Sequence, residues 1–114
     1  MTPEIRNILS GLPSSLTGEV IETIVASPAL CIERITSRGQ VTPEDECYNQ
    51  ERDEWVLVLA GRADLLFVDV QETRRLVAGD YTLIPAGCRH RVSWSDPAVE
   101  TVWLAVHFNP AGTP

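Results

Sequence analysis

Gly79-Asp80-Tyr81-Thr82-Leu83-Ile84-Pro85-Ala86-Gly87-Cys88-Arg89-His90 is the stretch that decides the fold. Two glycines bracket a short β-favouring run, Tyr81 to Ile84, which Pro85-Ala86-Gly87 cuts off. Gly79 and Gly87 suit tight turns, where a positive φ or a close backbone approach excludes a side chain. Pro85 ends the run at a point where a ladder donor is expendable. Beyond the turn, His90 opens another β-favouring run, and alternation sets His90, Val92 and Trp94 on one face.

The same signals extend in both directions. Val20 to Val25 is rich in β-branched residues and stops at Ser27-Pro28. Cys31 to Thr36 follows and ends before Arg38-Gly39, and a polar stretch from Thr42 to Asp53 reads as loop or strand edge. Trp55 to Leu59 is a continuous apolar run bounded by Gly61, the pattern of a strand buried on both faces. Ala63 to Val70, Thr73 to Val77 and, after His90 to Trp94, Val99 to Phe108 complete the series. About eight or nine short strands with turns every 8–12 residues predict an all-β sandwich or barrel, and no helical periods lie between them for a βαβ unit. Thr2-Pro3 reads as a cap with proline at the first helical position, so a short helix is expected over 3–10. The expected layout is one domain over 1–114, with the barrel at 19–108 and a frayed tail at 109–114.

Bulk composition agrees with one soluble domain. A chain of 114 residues hides roughly 65% of its unfolded surface on folding. Its apolar share of 44% and charged share of 22% are ordinary. The net charge is -7 and every basic residue is arginine. An acidic balance without a helix-turn-helix segment speaks against a nucleic-acid partner. Three cysteines, Cys31, Cys47 and Cys88, form no C-x-x-C pair, so neither a disulfide framework nor a structural zinc knot is expected. No basic leader and no long apolar run reads as a signal peptide or membrane span, and a reducing cytoplasm is the expected setting.

The Gly79-to-His90 string resembles the second motif of the cupin superfamily: glycine, five residues, Pro-x-Gly, two residues, histidine. Every fixed position through the histidine matches; where the family often has asparagine four residues later, this chain has Trp94. The first cupin motif, H-x-H, three or four residues, glutamate, six residues, glycine, is half present as Glu54, Trp55 to Ala60, and Gly61. Its histidine pair is replaced by Tyr48-x-Gln50 or, at the longer spacing, by Cys47-x-Asn49. The resemblance implies a double-stranded β-helix, the cupin or jelly-roll barrel, with a metal-type site inside it and homodimers as the common assembly. The strand Val20 to Val25 is the natural edge for such pairing.

The matched motifs make Glu54 and His90 the first candidate ligands for a divalent metal, whether iron, zinc, nickel or manganese. A carboxylate at the head of the apolar Trp55-to-Leu59 run is costly unless paired or metal-bound. Gln50 and Tyr48 stand where the family has histidines, and both are poorer ligands than imidazole. His107, the other histidine of the chain, is in phase with Trp103 and Ala105 on the last strand. With Glu54 and His90 it would make a two-histidine, one-carboxylate set, the usual constellation for non-haem iron. Tyr48 is a candidate proton donor. Cys88 reads as a small buried hydrophobe. Arg89 and Arg91 should point away from His90 by alternation; as solvated rim charges they are unremarkable, while turned inward they would grip an anion. Trp94, Trp103 and Phe67 read as core, with a pocket wall as the alternative.

Two functions follow as expectations. One is a metal-binding cupin, with a metal-dependent enzyme acting on a small polar molecule as its active form. The other is a non-catalytic ligand-binding or scaffolding cupin with a degenerate metal site. The fold cannot choose between them.

Overall fold

The computed structural model describes residues 2–13 and 18–110 of the chain. Eight strands follow in order: β1 Val20–Ala26, β2 Leu30–Ser37, β3 Asp53–Ala60, β4 Arg62–Phe67, β5 Glu72–Val77, β6 Tyr81–Ile84, β7 His90–Ser95 and β8 Thr101–Phe108. They form a five-stranded sheet of order β1-β2-β8-β3-β6 and a three-stranded sheet of order β5-β4-β7. Every pairing is antiparallel. This is the all-β architecture that the turn spacing predicted, in the two-sheet barrel form that the resemblance implied.

The sheets close on a shared core. Val56, Val58, Ile84, Trp103 and Ala105 come from the larger sheet, and Ala63, Leu65, Leu76 and Val92 from the smaller one. The chain crosses between sheets at Gly61, whose φ of +78° favours glycine. A Cβ there would lie 2.6 Å from the Thr101 Cα, so glycine also permits β8 to pack against the corner. Gly79 and Gly87 take φ values of +94° and +79°, as their turn roles require. Asp80 supports the first of these turns by accepting the Val77 N–H at 2.9 Å.

Three local expectations are corrected. No helix forms over 3–10. Residues 2–7 have no regular structure, and Ile8 to Ser10 make a turn in which the Asn7 side chain accepts the Leu9 N–H. So short a segment recovers too few backbone bonds to offset helix nucleation. Its carbonyls instead accept the Arg34 guanidinium, at Ile8, Ser10 and Gly11. β3 is not buried on both faces: Glu54, Val56 and Val58 point inward while Trp55 and Leu57 are half-buried outside, Trp55 against the Tyr81 ring. Trp94 leaves the His90 face because the β4–β7 register shifts between Asp64↔Trp94 and Leu65↔Val92. A bulge puts one extra residue in β7 and reverses the parity beyond it. Trp94 lies under the Arg75 guanidinium, 4.3 Å from the ring centroid.

β1 is an outer strand of the larger sheet, and Ile21, Ile24 and Val25 on it are about half exposed. Of the expected tail, Asn109 and Pro110 have no regular structure, and the rest lies outside the described residues. No helix among the described residues is long and apolar enough to cross a membrane.

Candidate functional site

A pocket opens between the sheets at one end of the barrel. Its apolar wall includes Ile21, Ile35, Val56, Leu65, Val92 and Trp103, and its polar groups are Glu19, Glu33, Tyr48, Gln50, Glu54, His90 and His107. The cavity volume is about 70 Å³, that of about two waters in the liquid.

Backbone pairing brings the polar groups together. β3 and β8 set Glu54 opposite His107, and β2 and β8 set Glu33 opposite Ala105. Tyr48 forms an isolated bridge with His90, its N–H donating to the His90 carbonyl at 2.7 Å and its carbonyl accepting at 3.0 Å. The Pro85-Ala86-Gly87 turn is tied to the segment that carries Glu54. Asp53 accepts the Ala86 N–H at 2.8 Å, and the Gln50 carbonyl accepts the Gly87 N–H at 2.8 Å. The turn motif and the glutamate motif thereby fix each other's position.

Glu54 and His90 are buried, 6% and 4% exposed. The His90 Nδ1 lies 2.9 Å from the Cys88 carbonyl, which can only accept, so Nδ1 carries the proton. That tautomer leaves the lone pair of the neutral ring on Nε2, facing Glu54 Oε1 at 3.3 Å. The approach lacks hydrogen-bond alignment, and Oε1 has no partner among the described residues. Two acceptors that face each other in a buried site need a proton, a water molecule or a metal ion between them. A second proton on His90 is one solution. Burial opposes the charged ring, but the nearby Glu54 carboxylate and the Cys88 carbonyl outweigh it and raise the pKa above the usual histidine value. A metal ion is another.

His107 is differently placed. Its Nε2 lies 2.9 Å from Glu33 Oε1 and 3.7 Å from Glu54 Oε2, and its Nδ1 lies 3.1 Å from the Gln50 side-chain oxygen. A neutral ring that donates to Glu33 must accept at Nδ1, which Gln50 satisfies by turning its amide nitrogen inward. The imidazole is therefore on the inner face with Trp103, but its Nε2 is bound to a carboxylate that sequence reasoning did not include.

Tyr48 donates its phenol O–H to Glu19 at 3.2 Å, and its ring lies 5.6 Å from that of His90. Burial, then the Glu19 charge, push its pKa up to about 12, so the phenol keeps its proton at neutral pH. Burial also raises Glu19, against the lowering effect of the Tyr48 bond. Arg89 turns outward to Asp69, and Arg91 to the Thr42 carbonyl at 3.2 Å, so neither faces the pocket. Cys88 is partly buried against the core, and Phe67 packs there too.

Two donors of one zinc-type ion, each about 2.0–2.2 Å from it, stand roughly 3.0–3.5 Å apart. His90 Nε2 and Glu54 Oε1 have that spacing, and the Cys88 carbonyl is the outer partner that metal-binding histidines need. Among the described residues, no group of three His, Cys, Asp or Glu is arranged to hold an ion. Two positions fit, and a third requires His107 to exchange Glu33.

Comparison with known proteins agrees with this architecture. Residues 38–107 match the family model described as the cupin domain. A protein from Ralstonia eutropha JMP134, named as a proposed mannose-6-phosphate isomerase, is 37% identical; the match covers 95% of this chain and 100% of that one, with a TM-score of 0.89. A cupin superfamily protein from Desulfitobacterium hafniense DCB-2 is 17% identical over 96% of this chain and 95% of its own, with a TM-score of 0.75. An RmlC-like cupin from Desulfovibrio desulfuricans is 19% identical over 96% and 98%, with a TM-score of 0.73. Among curated proteins none matches.

Proposed function

Since the chain belongs to the cupin domain family, we propose that its pocket binds a divalent metal on His90 and Glu54 and presents that metal to a small polar molecule. The observation that carries this reading is the 3.3 Å approach of the His90 Nε2 lone pair to a buried Glu54 oxygen with no partner. In this reading His107 is the third ligand once it releases Glu33, and Gln50 orients its ring from Nδ1. The bound metal would supply Lewis-acid polarisation of a ligand oxygen. The chain's own residues orient the ligand and exclude water, and Tyr48 holds a proton beside the His90 ring. Iron, zinc, nickel and manganese all suit imidazole and carboxylate donors.

Metal analysis of protein purified without chelator or affinity tag tests this reading. About one ion per chain is expected, lost in His90→Ala and in Glu54→Ala. Absence of metal, with a melting temperature unmoved by adding iron, zinc, nickel or manganese, would refute it. Unchanged metal content in His107→Ala would remove that residue from the set.

A second reading, a non-catalytic ligand-binding cupin with a degenerate site, is favoured by the His107–Glu33 bond. The isomerase name of the Ralstonia protein is weakly supported here, because no arginine lines the pocket to hold a phosphate. We also propose a homodimer built on β1, whose Ile24 and Val25 are about half exposed on an edge strand. Elution at monomer mass across a range of concentrations would exclude it.

A further inference from the structure

The pocket's charge is one-sided. Glu19, Glu33 and Glu54 line it, and no arginine does. The chain has no lysine, so its nine arginines are all its permanently charged cationic side chains. Each is bonded elsewhere: Arg34 to Glu22, Arg62 to Asp96, Arg75 to Asp64, Arg89 to Asp69, and the others likewise to carboxylates or backbone carbonyls. Outside the metal position, a phosphate or carboxylate entering here would meet carboxylates and no arginine fork.

Two buried atoms call for an occupant. Glu54, 6% exposed and set between His90 and His107, has an oxygen without a partner. Trp103, 3% exposed and also on the pocket wall, has an indole N–H without one. The first is satisfied by a cation or donor, and the second by an acceptor such as a hydroxyl that reaches the indole. Half of the wall is aliphatic or aromatic, which a bare ion does not need and a short carbon chain does. The space, about 70 Å³, suits a ligand of a few heavy atoms.

Resting on the reading of this pocket as a small-molecule site, we propose that its ligand is a short amino alcohol or similar hydroxylated amine. Its ammonium group sits against Glu33, the carboxylate that His107 releases, and the pocket rejects phosphate esters and carboxylates.

Calorimetric titration with aminopropanol, propanediol, hydroxypropionate and glycerol phosphate tests the proposal, on protein as purified and after chelator treatment. Aminopropanol should bind at least roughly tenfold tighter than propanediol, because only the amine offers a charge opposite to that of Glu33, which is already desolvated in the folded pocket. The two anions should bind more weakly than either. Glu33→Gln should erase the preference for the amine without lowering metal content, and Glu19→Gln should reduce it less, both with melting temperatures near wild type. Equal binding of amine and diol, tighter binding of glycerol phosphate in either form, or an unaltered preference in Glu33→Gln would overturn the proposal. Amine preference in a protein that holds no metal counts against the metal reading alone. Metal without amine preference counts against this one alone.

Discussion

β3 and β8 run side by side through the barrel, and their two ends follow opposite rules. At the Gly61 end the polar groups of the crossing are matched. Thr101 Oγ1 accepts the Arg62 N–H at 3.2 Å and donates to the Arg62 carbonyl at 3.1 Å. Asp96 is held by the Arg62 guanidinium and the Ala98 N–H, both at 2.9 Å. The partnerless atoms near that end are the uncharged hydroxyls of Thr36 and Ser37 on β2. At the other end Glu54 stands opposite His107 in the same ladder, and there a buried carboxylate oxygen is left open. One end is arranged for stability. The other keeps unsatisfied charge in place, which a structure without a ligand to bind has no reason to do.

The largest effect should come from the matched end. Gly61→Ala puts a methyl group 2.5 Å from Thr101 Oγ1 and 2.7 Å from the Glu100 carbonyl, in a left-handed conformation. A loss of about 3 kcal/mol or more is expected, read as the shift in urea midpoint at constant slope. Survival of Gly61→Ala within experimental error would show that the corner yields and that the ends differ less than argued.

Seven positions earlier, on β3, the sign should reverse. Glu54→Met replaces an unmatched buried charge by an apolar chain of similar length, and a gain of about 1 kcal/mol is expected together with loss of any bound metal. A destabilisation comparable to that of a core truncation would mean that Glu54 holds the fold and not a ligand.

The smallest effect should be visible only against pH. Asp96 has its pKa lowered from the ordinary 3.8, first by the Ala98 N–H and then by Arg62. Its stabilisation is therefore full above that ordinary value and drains away as pH falls through the lower folded one. The melting temperatures of wild type and Asp96→Asn should differ by a constant amount from neutrality to about pH 5, and converge below about pH 4. A gap that persists in acid would assign the effect to shape rather than charge.

The strands were readable because turn residues and β-branched runs act locally: Tyr81 to Ile84 begins and ends where the sequence places it. Inner and outer faces were readable only until a bulge intervened, as at Trp94, because the extra residue is a property of the pair β4–β7 and not of β7 alone. The site was partly readable. Glu54 and His90 belong to motifs with fixed spacing, and His107 shares parity with Trp103. Glu33 alternates with Cys31 and Ile35, but its strand mixes polar and apolar residues on both faces, so the register with β8 was needed to see it. Glu19 lies ahead of β1, where no period applies, and only the Tyr48 contact brings it in.

Trp103 has one more consequence. Its indole forms part of the pocket wall and is almost fully shielded from water. The other two indoles are engaged on the outside, Trp55 with Tyr81 and Trp94 with Arg75. The molecule therefore carries its own optical probe: whatever enters the pocket alters the emission of one buried chromophore against a steady background from two others.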